Sequence, residues 1–273
     1  MGNQEIAILD WYLTMGVDEV VEETPQNRLQ LAETKPIGEA VPQAKKTAVA
    51  PPIPDFSPNI AKAPLPAAQT APAEALAKTE ALAKAADSIE ALKEAVLSFE
   101  KLSICRSATQ PVFAQGVETP DVMVIGEAPG AQEDRQGIPF CGPSGQLLDK
   151  MLAAIRLSRQ ENTYITNSVF WRPPGNRTPT PEEIAICRPF VMRHIELIKP
   201  KLIFLLGGVA VRSVLNEASS ISKLRGKTQS LNIEGADIPL QISYHPSYLL
   251  RQPSQKKLAW QDLLAIKAQL QLL

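Results

Sequence analysis

The chain has 273 residues, 28 Lys and Arg against 29 Asp and Glu, a formal net charge of -1 and 3 cysteines. Three thiols without regular spacing exclude a disulfide scaffold and suit a reducing cytosol. No uninterrupted apolar run reaches membrane-spanning length, and Met1-Gly-Asn-Gln-Glu-Ile6 has no basic region ahead of an apolar core, so a soluble cytoplasmic monomer is expected.

Residues 4 to 15 place Ile8, Trp11, Tyr12 and Met15 on one helical face, with Gly16 able to end the helix. Two readings stand: a small helix that packs back on the body of the protein, or a tethered docking helix whose aromatic anchors meet a protein partner. Residues 36 to 72 hold nine of the 24 prolines and almost no periodic apolar pattern, which predicts a semi-extended tether. Charge splits along the chain as well: residues 1 to 100 carry 8 Lys and Arg against 15 Asp and Glu, and residues 101 to 273 carry 20 against 14. The balanced total conceals a basic globular half, which suits a phosphate-backbone ligand. Asp87-Ser-Ile-Glu90 reads as a capping box opening a helix, with Ile89, Leu92, Val96 and Phe99 as its core stripe. The expected division is a helical segment at 1–35, a Pro/Ala-rich disordered linker at 36–84 and a folded domain at 85–273.

From Asp121 onward, strand and helix alternate. Strands are predicted at 122–125, 164–169, 202–206 and 240–243, with a shorter one near Leu231; helices are predicted at 145–155, 181–198, about 209–215 and about 256–273. Strands separated by helices imply right-handed crossovers, hence an α/β fold with three layers, α/β/α, around a mostly parallel four-stranded central sheet. The first strand runs into Gly126-Glu-Ala-Pro-Gly130, the punctuation of a strand stopping at the carboxyl edge, where open α/β sheets place their ligands. Glu127, Glu133 and Asp134 argue against a phosphate cradle, and no lysine follows Gly130 at P-loop spacing. Gly126 and Gly130 do not match the dinucleotide fingerprint either, which disfavours a nucleotide-binding Rossmann-like protein.

Four blocks follow in order: Gly126-Glu-Ala-Pro-Gly130 continuing to Gly137-Ile-Pro-Phe140 and Gly142-Pro-Ser-Gly-Gln-Leu-Leu148; Tyr164-Ile-Thr-Asn167; Arg172-Pro-Pro-Gly-Asn-Arg177; and His245-Pro-Ser-Tyr-Leu-Leu-Arg251. Over roughly Ser103 to Leu273 this arrangement resembles the family 4 type of bacterial uracil-DNA glycosylase. The resemblance implies a uracil-DNA glycosylase-like fold and an enzyme of base excision repair. Such an enzyme flips deoxyuridine out of DNA and hydrolyses its N-glycosidic bond, leaving an abasic site. The rival from another class is a noncatalytic DNA-binding or damage-sensing relative that keeps the base pocket.

On this resemblance Phe140 offers a stacking face for the flipped pyrimidine, and the backbone at Gly126, Ala128 and Gly130 lies beside the base. Asn167, at the end of a strand, pairs with O4 and N3–H of uracil and opposes the exocyclic amino group of cytosine. His245 donates to uracil O2 as negative charge develops on the leaving base, whereas His194, inside a helical pattern, reads as structural. Glu127 either opposes the sugar cation or orients water, as an obligatory base or as a positioning group. Gly142 and Ser144 would bind a DNA phosphate at the start of a helix. Leu249 and Leu250 resemble a duplex-penetrating wedge beside the backbone-binding cation Arg251.

The cysteines depart from the family, whose members typically hold a 4Fe-4S cluster through four of them. Cys187 has a clear equivalent and Cys105 a doubtful one; Trp171 stands just before Arg172-Pro-Pro, and alignment on Val112-Phe113 sets the remaining pair on Phe99 and Leu102. Cys141 falls where the family places no ligand. The expectation is therefore no metal and no cofactor, with Trp171 filling part of the cluster's space.

Overall fold

The structure, a computed structural model, describes residues 70 to 271 apart from 218 and 228. The helix expected at 4–15 and the tether up to residue 69 lie outside the described residues. The chain runs α1 (Thr70–Ala85), α2 (Ile89–Leu97), α3 (Ser103–Ser107), β1 (Ala114–Gly116), β2 (Val122–Gly126), α4 (Ala131–Gln136), α5 (Pro143–Ala153) and β3 (Thr163–Asn167). It continues through α6 (Pro181–Ile198), β4 (Leu202–Leu206), α7 (Gly208–Leu215), α8 (Ile221–Leu224), β5 (Gln229–Ile233), β6 (Ala236–Ser243), α9 (Pro246–Arg251) and α10 (Lys256–Gln269).

The sheet order is β1-β3-β2-β4-β6-β5. The inner strands β3, β2, β4 and β6 are parallel, and they are the four main strands expected; β1 and β5 add antiparallel edges, so the sheet has six strands where four were expected. Sheet and helices alternate their contacts with period two. Met123, Ile125, Ile203 and Leu205 join the core under α1, α2, α6 and α7, while Val122, Val124, Leu202 and Phe204 join the core under α5 and α10. Both faces are covered, which is why β2 and β4 at the centre read as unbroken apolar runs, while β3 and β6 mix polar residues among the apolar ones.

The linker expected to reach residue 84 is corrected from Thr70 onward: residues 70 to 85 form α1, which packs along α6. Alanine is the best helix former, and the small residues Ala75, Thr79 and Ala83 bury one face of α1 at four-residue spacing. Arg193 of α6 fastens the end of α1, donating from Nε to Ala86 O at 2.8 Å. The expected capping box at residues 87–90 is corrected to a simple cap one position on, with Ser88 accepting from Ala91 N–H and no glutamate at N3 to return the bond; Leu92, Val96 and Phe99 are buried as expected, and Ile89 is half-buried.

Candidate functional site

The parallel strands deliver Gly126, Asn167, Leu206 and Ser243 to the same carboxyl edge. β3 lies on one side of β2 and β4 on the other, so the connections diverge there, and a crevice opens at such a reversal of strand order. It is a cavity of about 420 Å³ whose lining includes Glu127, Ala128, Gly130, Phe140, Ser144, Asn167, His245 and Arg251. The structure thus brings together one residue or more from each of the four sequence blocks.

Gly126 sets the spacing at the cavity floor. A methyl group there would lie 2.5 Å from both Asn167 Oδ1 and Phe140 Cζ, so only glycine lets the amide and the ring approach each other across the end of β2. Phe140 is buried and has a left-handed backbone with φ of 53°, a conformation that costs a bulky residue on the order of 1–3 kcal/mol. Gly145 allows it, because α5 presses against the Phe140 carbonyl where any Cβ would collide. The ring faces His245 with centroids 5.5 Å apart and planes 31° from parallel.

His245 is the N-cap of α9, and its Nδ1 accepts the backbone N–H of Ser247 at 3.2 Å while lying 2.8 Å from Ser247 Oγ. A backbone N–H only donates, so Nδ1 is the unprotonated nitrogen and the neutral ring carries its hydrogen on Nε2. That Nε2 is buried and has no hydrogen-bond partner among the described residues. Burial, assisted by the nearby Arg251 charge, depresses the His245 pKa to about 4, which keeps the ring neutral at physiological pH. The result is a donor held ready without a full positive charge.

Asn167 is also buried, and its side-chain amide makes no hydrogen bond with the described residues, although its backbone completes the β2–β3 ladder. The side chain lines the crevice, where an amide can both donate to and accept from a ligand. Glu127 follows β2 directly; burial raises its carboxyl above the usual range, opposed by the Arg251 charge. The other histidine, His194, is structural as expected: its Nε2 lies 2.7 Å from Tyr164 Oη, its ring stacks on Phe113, and burial lowers its pKa to about 3.

The expected DNA-facing residues divide. Ser144 and the exposed Arg251 line the cavity; Leu250 is exposed and is not part of the lining. Leu249 is corrected: it is 0% exposed in the core with Leu148 and Leu152, because neighbouring positions on a helix point about 100° apart and only one of the two leucines can face outward. Gly142 is corrected as well, since its N–H already donates to Glu133 Oε1 at 2.9 Å and is not open to a phosphate. Glu133 bridges two loops, its Oε2 accepting Gly130 N–H at 3.1 Å, and is a site residue that the sequence reading left without a role. Asn176, Arg177 and Ser247 line the cavity too; the motifs contain them, but no periodic signal marked them. Asp134 holds a neighbouring loop by accepting from Thr109 N and Oγ1, each at 2.8 Å.

The four positions at which the resemblance would place cluster ligands lie in one apolar core. Phe99, Leu102, Trp171 and Cys187 are all buried there, the Phe99 and Trp171 rings are 5.8 Å apart, and Phe190 closes edge-on against Phe99 at 5.7 Å. Burial pushes the Cys105 thiol up to about 11 and Cys187 still higher, the protonated state that a metal ligand must leave. Among the described residues no three His, Cys, Asp or Glu side chains assemble into a metal-holding group. One suitable thiol amid packed aromatic rings does not fit a four-thiolate cluster.

A family model described as the uracil DNA glycosylase superfamily matches residues 113–264. A type-4 uracil-DNA glycosylase of Sulfurisphaera tokodaii is 36% identical over 185 residues, covering 66% of this chain and 84% of that protein. One from Thermotoga maritima is 37% identical over 169 residues, covering 62% and 86%. A type-5 uracil-DNA glycosylase of Pyrobaculum aerophilum is 32% identical over 154 residues, covering 51% and 67%. The family-model match falls on the part of the chain that builds the sheet, the crevice and its four motif loops, and the chain belongs to the uracil DNA glycosylase superfamily, with type-4 enzymes among its relatives.

Proposed function

We propose that the crevice receives deoxyuridine extruded from DNA and that the chain hydrolyses its N-glycosidic bond, releasing uracil and leaving an abasic site, the first chemical step of base excision repair. The observation that carries this reading is the unpartnered Nε2–H of a neutral His245 in the same cavity as the unpaired Asn167 amide and the Phe140 ring. Phe140 stacks on the base, and the Asn167 amide reads O4 and N3–H. As the C1′–N1 bond breaks, its electron pair passes to the base and onto O2, where His245 Nε2–H stabilises it. Water adds its oxygen to C1′ and its proton passes to the departing uracil anion; the reading assigns Glu127, on the cavity lining, to oppose the sugar cation or to orient that water. Ser144 and Arg251 at the rim are assigned to DNA phosphates, with Leu250 as the residue that enters the duplex. Release of free uracil from U:G, U:A and single-stranded oligonucleotides tests the proposal. Tight, base-independent binding without release would replace it with the noncatalytic DNA-binding reading.

The same reading has the enzyme work without an iron–sulfur cluster, supported by the aromatic packing at Phe99 and Trp171. Protein purified anaerobically is expected to be colourless, with far less than the roughly four irons per chain of a full cluster. A Cys105→Ala, Cys187→Ala variant should stay folded and active, since both thiols act as small packing groups. Stoichiometric iron and sulfide with broad visible absorption would overturn this. In the proposed setting the chain is a cytoplasmic monomer, and Ile8, Trp11, Tyr12 and Met15 are the candidate contacts for a protein partner. Among the described residues no helix is long and apolar enough to cross a membrane.

A further inference from the structure

Arg159 belongs to none of the sequence blocks and does not line the crevice, yet its side chain is 7% exposed and makes five hydrogen bonds. Nη1 donates to Pro139 O at 3.0 Å and to Gln115 Oε1 at 2.6 Å. Nη2 donates to Phe140 O at 3.0 Å and to Asp149 Oδ1 at 2.8 Å, and Nε donates to the same Asp149 oxygen at 3.0 Å. One rigid fork thus grips two successive carbonyls of the segment that carries Phe140, while a strand-edge glutamine and a helix carboxylate fix the fork. The gripped segment includes the residue with φ of 53°, a backbone state that persists only where its surroundings determine it. The missing Cβ of Gly145 lets the segment lie against α5, but room alone gives no attraction; the Arg159 bonds supply it.

We infer that Arg159 is a positioning residue for catalysis, holding the Phe140 backbone so that the ring presents its face to the extruded base. The inference rests on the proposed stacking role of Phe140. A lysine in its place would keep the charge but could not span both carbonyls and Asp149 with one planar group.

The test is a double-variant cycle in single-turnover uracil release, using Phe140→Ala, Arg159→Lys and the two combined. Arg159→Lys is expected to slow release by about tenfold or more through misplacement of the stacking face, with affinity for an abasic-site duplex unchanged within about twofold. The combined variant should be no slower than Phe140→Ala alone, because Arg159 acts through the ring. Independent multiplication of the two losses, or an Arg159→Lys enzyme at the wild-type rate, overturns the inference and leaves the stacking reading standing. Phe140→Ala at the wild-type rate overturns the stacking reading, and the inference with it. If thermal melting shows Arg159→Lys to be unfolded, Asp149→Ala takes its place in the same cycle: Asp149 is half-exposed and orients the guanidinium from outside, and the same non-additivity is expected.

Discussion

His245→Ala is expected to lower the single-turnover rate of uracil release by roughly ten- to a thousandfold, because one oxyanion donor contributes about 1.4 to 4 kcal/mol at the transition state. Affinity for duplex DNA should change little, since the proposal gives Nε2 to the base and leaves the phosphates to Ser144 and Arg251. A fall in binding with chemistry preserved would make His245 a docking residue. The pH profile separates this role from that of Glu127. His245 has its pKa depressed to about 4, so the ring stays neutral at any pH well above that value and produces no transition near the ordinary imidazole range. Glu127 has its pKa raised by burial, so its carboxylate is lost as pH falls through a value above the usual 4.5. The acid limb of the wild-type rate should therefore survive in His245→Ala and vanish in Glu127→Gln. A limb centred near pH ~6.5 that disappears with His245 would refute the neutral-donor assignment.

The donor itself was legible as a residue but not as a state. A histidine before Pro246-Ser247 at a strand end can be read from sequence, whereas its tautomer depends on the Ser247 backbone N–H meeting Nδ1, which only the first turn of α9 arranges. The two central parallel strands were legible for a simple reason: a strand covered on both faces favours an apolar run, and Val122–Gly126 and Leu202–Leu206 are buried at every position. The edges carry no such constraint. β1 is three residues, Ala-Gln-Gly, with no repeating pattern, and it is recognisable only through its pairing with β3. Helix α1 was hidden for the opposite reason, since alanine serves equally in a flexible linker and in a close helix–helix contact. Leu249 and Leu250 show a third limit: adjacency in sequence suggested a shared role, and helical geometry sends one into the core and one into solvent. Arg159 shows a fourth, because a buried cation that bonds backbone carbonyls has partners no side-chain motif can reveal.

Substitution of Asn167 should alter selectivity as well as rate. Asn167→Ala removes two hydrogen bonds to the base edge, each worth about 1 to 1.5 kcal/mol, so uracil release should slow by roughly a hundredfold with no gain on cytosine. Asn167→Asp behaves differently. The site is buried, so a carboxyl there is driven toward its neutral form, which pairs one O–H donor with one acceptor and can rotate to present either order. Cytosine offers an acceptor at N3 and a donor at its amino group, the reverse of uracil, and the aspartate variant should therefore gain measurable cytosine release while losing part of its rate on uracil. The wild-type amide would also suit cytosine if it turned over, so the expected result, negligible wild-type release of cytosine, would mean that the bound amide keeps one orientation, with its oxygen toward N3–H. The assay compares uracil and cytosine in the same sequence context for the wild type and both variants. Unchanged uracil kinetics in the two variants would remove Asn167 from the pocket; cytosine release that is already substantial in the wild type would show that hydrogen-bond polarity at Asn167 does not set the choice of base.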